Sequence, residues 1–234
     1  NNNTAVGYLA LGVNTTGEEM VAVGKGALDA NTTGHSHVAI GADALGSNTT
    51  GSFNVAIGRE AMLNNTTGAS NTAVGRDSGL SITSGIQNTI VGSLAGDALT
   101  DADFNVAIGY AALSSDTKGN KSTAIGLETL GVQNFTSSTD THNTAIGFQA
   151  GASVTTGTSN TLIGSGAGDS ITTGAGHVLI GEDAGTSITT NNHNTFVGRN
   201  VGTSVTGGFN TFVGTSNGST GSTGHLITTG SKNT

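Results

Sequence analysis

The segment Asn54-Val55-Ala56-Ile57-Gly58 returns 17 residues later as Asn71-Thr72-Ala73-Val74-Gly75, then as Asn88-Thr89-Ile90-Val91-Gly92 and Asn105-Val106-Ala107-Ile108-Gly109. Followed outward in both directions, its glycine recurs at Gly7, Gly24, Gly41, Gly58, Gly75, Gly92, Gly109, Gly126, Gly147, Gly164, Gly181, Gly198 and Gly214. The step is 17 residues throughout, except 21 before Gly147 and 16 before Gly214. A short fixed period over the whole length means one small unit stacked on copies of itself, each touching mainly its neighbours. The predicted fold is all-β: a parallel β-solenoid, or β-roll, of about 13 coils with a 17-residue repeat. At strand spacing such a stack is a rod roughly 60 Å long.

Individual slots of the unit carry the argument further. Val or Ile precedes every one of the glycines, and Val or Thr stands two residues earlier. These two slots share a face of an extended segment, and β-branched residues favour a strand. On this pattern Val6, Val23, Ile40, Ile57 and Val74 are expected to pack in the core. The slot between them is mostly Ala but grows to Ile90, Leu162, Leu179, Phe196 and Phe212. Apolar residues on both faces imply that both are covered, one by the coil interior and the other by a neighbouring chain.

Two further slots compensate one another. Leu11, Leu28, Leu45, Met62, Leu113 and Leu130 stand four residues after the glycine, and in those units the residue three further on is polar. In six other units Gly takes the first slot, as in Gly79 and Gly168, and the second turns apolar, as in Ile82 and Ile171. One large apolar group per unit is what close packing demands, because voids and overfilled sites both cost stability. The two slots are expected to feed one cavity across a turn. Asn recurs four residues before the glycine, where it either forms an amide ladder along the axis or favours a turn. Residues 133–142 carry the insertion and are expected to bulge outward.

The composition excludes several functions. A formal net charge of −8 with only 7 Lys and Arg leaves no basic stripe for nucleic acid. No apolar run approaches the length of a membrane span, so no membrane insertion is expected. There is no cysteine for a disulfide or a thiol site.

The Asn-Thr-Ala-Val-Gly and Asn-Val-Ala-Ile-Gly segments resemble the head repeats of YadA-type trimeric autotransporter adhesins. They resemble still more the Asn-Thr-Ala-Val-Gly-Tyr-x-Ala-Leu arrays of bacteriophage tail fibres, with residues 3–11 and 105–113 the nearest matches. The likeness runs to about Gly214, although adhesin heads use a somewhat shorter unit. It implies a homotrimeric β-roll on a virion or cell surface, extracellular, with host-surface glycans reached through flanking regions. Residues 1–214 are expected to form the solenoid domain. Residues 215–234 read as a Gly/Ser/Thr-rich insertion and the start of a further repeat. The repeat opens within three residues of Asn1, and Asn233-Thr234 resemble the start of another unit, so a longer repetitive protein is expected.

Sites of chemistry are sparse. His35-Ser36-His37 lacks the third and fourth ligands of a convincing metal site and reads as surface or interface histidine. Asp43, Glu60 and Asp77 share a slot in consecutive units, but Arg59 and Arg76 beside them point to a charge-compensated surface ladder rather than a calcium site. No catalytic constellation, cofactor motif or metal site is read, and no enzymatic activity is expected. Phe196, Phe209 and Phe212 make the far end the most aromatic region and form a candidate interface or receptor patch. The function expected is a structural shaft segment of an elongated trimeric fibre, a phage tail fibre or surface adhesin serving attachment. The alternative is a direct glycan- or matrix-binding module. A minor alternative is ice binding, suggested by Thr eight residues after the glycine in eleven of the first twelve units, from Thr15 to Thr206.

Overall fold

The computed structural model describes residues 2–215. Thirteen strands of three residues, from Thr4–Val6 to Thr211–Val213, pair in parallel as one sheet in chain order. The register never slips: Ala56 lies over Ala39 and Ala73 over Ala56, while across the insertion Ala145 lies over Ala124. Each coil is named below by its strand, coil 1 holding Thr4–Val6 and coil 13 Thr211–Val213. No helix is present among the described residues. The coils stack through the described residues as a β-solenoid, and residues 216–234, on which the expected insertion and further repeat fall, lie outside them.

Columns of identical groups join the coils. The anchor glycines stack so closely that a Cβ on Gly41 would lie 2.3 Å from the carbonyl oxygen of Gly58, at a φ of +139°. Only glycine combines that backbone with that approach. Along the inside runs the amide ladder. Asn71 N–H donates to Asn54 Oδ1 at 2.9 Å, while Asn71 Nδ2 donates to the carbonyl of Gly85 at 2.8 Å. Asn88 and Asn105 repeat both bonds. A Thr ladder lies further round: Thr32 Oγ1 donates to the carbonyl of Thr49 at 3.0 Å, and Thr49 Oγ1 to that of Thr66 at 3.1 Å.

Histidine replaces Asn in coils 3 and 11, at His37 and His177, and copies both of its bonds. Nε2 of His177 lies 2.7 Å from the carbonyl of Asn191, and the N–H of Asn194 donates to Nδ1 at 3.1 Å. His37 makes the same pair with Gly51 and Asn54. Nδ1 must therefore be bare and Nε2 must carry the proton, which fixes a neutral ring. Burial pushes His177 down to about 4, helped by the nearby His193, and lowers His37 likewise with a smaller contribution from His35.

The interior corrects the assignment of faces. Val6, Val23, Ile40, Ile57 and Val74 point outward; Ile40 and Ile57 are more than one-third exposed, and Val23 and Val74 are half-buried. The middle residue of the strand is the one that faces in. The reason is width. The opposite wall already fills the cavity with Leu28, Leu45 and Met62, all fully buried, which leaves room only for Ala on the strand. Leu11, in the first coil, is half-buried against the same cluster.

Where the opposite wall recedes to Gly, the strand residue grows in four of the six coils, at Ile90, Leu162, Leu179 and Phe196, while Ala73 and Ala145 stay small. A Cβ on Gly168 would lie 2.8 Å from Ile171 Cδ1 and 2.9 Å from Leu162 Cδ2. The space above Gly79 is taken by Ile82 and by Ile90 of the next coil. The compensation thus involves three slots, and the two slots paired from sequence, represented by the buried Ile82 and Ile171, do share one cavity. Phe196 is fully buried over Gly202 for the same reason, stacked on Phe212 at 5.1 Å.

The insertion divides in two. Phe135 turns inward and is buried, its N–H bonded to Asp116 Oδ1 at 3.0 Å. Residues 136–138 form the exposed bulge, and Thr139–Asp140 then pairs with Gly119–Asn120 in a two-residue bridge.

Two outcomes test this packing. Met62→Gly should cost about 2–5 kcal/mol by opening a cavity. Adding Asn65→Ile should recover at least ~1 kcal/mol of that loss in a double-mutant cycle read by denaturant unfolding. Asn65 suits the exchange because its Oδ1 is buried without a hydrogen-bond partner. For the histidines, a depressed folded pKa means that the unfolded chain binds the extra proton first. Stability is full above pH 6.5 and falls as pH drops toward the folded value of about 4 for His177, by about 1.4 kcal/mol per pH unit. His177→Asn, which restores the ordinary ladder residue, should flatten that part of a melting-temperature profile.

Candidate functional site: the outer face of the sheet

The outward slots of the strands hold only Val, Ile and Thr in all thirteen coils. Because the pairing is in register, these side chains form two straight columns rather than scattered points. The columns stand two residues apart, so the stripe is ~7 Å wide between them and roughly 60 Å long. That is a strip of about 400 Å² without a charge, one column Val or Ile throughout and the other Thr in eight coils and Val in five, comparable with the largest, often functional, apolar patch of a typical monomer. The coils beneath it are held to one another by the amide, Thr and Gly columns.

Residues directly after the anchor glycine flank the stripe. Tyr8, Tyr110, Leu127 and Phe148 are exposed there, the last three in consecutive coils. In coils 4 and 5 the same column is basic and carries the ion pairs. Arg59 lies 2.6 Å from Glu60 and 3.5 Å from Asp77, and Arg76 lies 2.8 Å from Asp77. The acidic column of Asp43, Glu60 and Asp77 is thus compensated by arginine at two of its three members. Among the described residues no group of three His, Asp or Glu side chains could hold a metal ion. His35 and His37 part company: His37 is buried in the ladder, while His35 lies outside with its ring 4.7 Å from that of Phe53. The expectation of a surface or interface histidine therefore fails for His37, whose ring does the work of a ladder amide.

The aromatic end separates in the same way. Phe196 and Phe212 were expected at an interface or receptor patch and instead lie inside the coil. Phe209 alone is exposed, beside His193 at 5.0 Å. The strand Val and Ile residues lie on the surface where the sequence pattern predicts core, because β-branching marks a strand without marking which of its faces is buried. The available signal was the invariant smallness of Ala opposite Leu28, Leu45 and Met62.

No family model, curated protein or solved structure matches the chain. Among the described residues no helix is long and apolar enough to cross a membrane.

Phe196→Ala should destabilise the fold by about 3–5 kcal/mol. Phe209→Gly should cost nothing and relieve a left-handed backbone at φ 62°, so thermal melts of the two variants should move in opposite directions.

Proposed function

We propose that this chain is a structural shaft segment of an elongated, extracellular, trimeric fibre, of the phage tail-fibre or bacterial surface-adhesin kind, that holds an attachment element away from its particle. The observation that carries the reading is the uncharged Val/Ile/Thr stripe running the full length of a rigid stack. A spacer needs length, stiffness and a lateral partner, and each has a physical source in the molecule. Length comes from repetition, stiffness from columns of hydrogen bonds, and the partner is met by a face that water solvates poorly.

A second copy is the natural cover, since its own stripe has the same length, pitch and chemistry. Three copies around an axis parallel to the rod follow from the resemblance to trimeric adhesin heads and tail-fibre arrays. No catalytic step is assigned to the assembly, and polysaccharide incubated with it should remain uncut.

Light scattering at moderate concentration should give three times the chain mass. Ile40→Lys combined with Ile57→Lys and Ile108→Lys should reduce it to one chain mass while the far-ultraviolet spectrum stays that of the parent. A parent that is itself monomeric would remove the trimer and with it the lateral half of this reading.

A further inference from the structure

Coils 7 to 9 differ from the coils on either side of them in one corner slot. The slot five residues after the anchor glycine is bulky or acidic in several coils, as in Leu63, Leu80, Asp97 and Asp169, but is Ser114, Gly131 and Ala152 in these three. Small residues in three consecutive coils leave a hollow of about 310 Å³ in the surface. Its rim is raised by Tyr110, with Val132 standing out of a column otherwise made mostly of Ser and Ala. Tyr110 and Val132 are both about half exposed.

Polar groups are placed on the same hollow. Glu128 lines it, with its carboxylate fixed by a 2.8 Å hydrogen bond from Gln149 Nε2. The backbone positions the pair, since the N–H of Glu128 donates to the carbonyl of Tyr110 and that of Gln149 to Leu127, both at 2.9 Å. Ser114 also lines it, with its Oγ donating to the carbonyl of Gly131 at 3.3 Å. Leu127 and Phe148 continue the exposed line from Tyr110 past its edge. No Lys, Arg or His lines the hollow.

We propose that this hollow binds a neutral saccharide. The volume is at the small end for a ligand site and suits one or two sugar rings. A pyranose offers an apolar C–H face and an edge of hydroxyl donors. The first matches the exposed face of Tyr110, whose ring is amphipathic and loses little entropy on binding. The second matches Glu128, an acceptor already oriented by Gln149. The absence of a cation on the lining, with the adjacent carboxylate, disfavours acidic sugars. The site is independent of the spacer reading and would give the shaft a lateral grip on a glycan-covered surface.

The test is titration of the chain with maltotriose, cellotriose and triacetylchitotriose, followed by amide chemical shifts. At least one should bind saturably, with shifts confined to coils 7 to 9. Tyr110→Ala should weaken it at least tenfold, and Ser114→Leu should abolish it by filling the floor. Ser114→Leu keeps the fold, because Leu63 and Leu80 occupy the same slot in other coils. Tyr8→Ala, in the same column as Tyr110 but away from the hollow, should change nothing. No saturable binding of any of the three, equal binding by Ser114→Leu, or tighter binding of a sialylated trisaccharide would each overturn the proposal. So would a fall in oligomer mass for Tyr110→Ala without saccharide binding, which would assign the hollow to a second copy. Trimer mass in the parent is read separately, so failure here leaves the spacer reading standing.

Discussion

Everything in this molecule depends on each coil lying directly above the last at the distance of a backbone hydrogen bond. A three-residue strand offers too few bonds to hold by itself. Side-chain amides and hydroxyls extend the ladder beyond the strands: Asn88 and Asn105 bond upward to carbonyls as well as to each other, and the Thr column does the same further round the coil. Stacking makes every residue the neighbour of its own equivalent, so a group that bonds well to its own kind is reused in coil after coil. Asn serves because it carries both a donor and an acceptor, and neutral imidazole can replace it for the same reason.

That stacking also sustains a strained backbone. Twenty-seven non-glycine residues among those described have positive φ, including Leu28, Leu45 and Phe53. A left-handed residue other than glycine costs roughly 1–2 kcal/mol. The corners are tight because a 17-residue coil must close on itself, and the strain is tolerated because hydrogen bonds and burial over-determine each turn. Leu-type coils carry strain at Leu28 that Gly-type coils avoid at Gly168, whose φ is +60°. In exchange the Gly-type coils must bring volume from elsewhere, which they do with Ile171 and Leu162.

The consequence for function is a division between a fixed interior and a free exterior. The inner slots answer to volume and to the ladder, so Phe196 appears only where Gly202 makes space. The outer strand slots keep to Val, Ile and Thr although they are half-buried or exposed rather than part of the core, and that restraint is why they are read as a surface for a partner. The corner slots vary freely and supply the charges of Arg59 and Asp77 and the aromatic rim at Tyr110. Here a lateral activity can be added to a rod without disturbing its core.

The period, the strand of three residues, the in-register stacking and the exchange between Leu or Met and Ile82-type residues were legible from sequence, because a one-dimensional stack writes its geometry directly into the spacing. The amide column was legible as a choice between two readings, which only the bonds from Asn71 and Asn88 decided. Which strand face points inward was signalled only faintly, by the constancy of Ala in coils that carry Leu or Met, since Val and Ala are both compatible with an interior. It was decided by how far Leu28 and Met62 reach across the coil, a distance that exists only once the turn is closed. The same holds for His37, for Phe135 and for the hollow beside Tyr110: each depends on what stands opposite or alongside in a neighbouring coil. Sequence spacing thus determines the axis and its repeat, and tertiary closure determines inside from outside, because burial is a property of the closed coil and not of the residue.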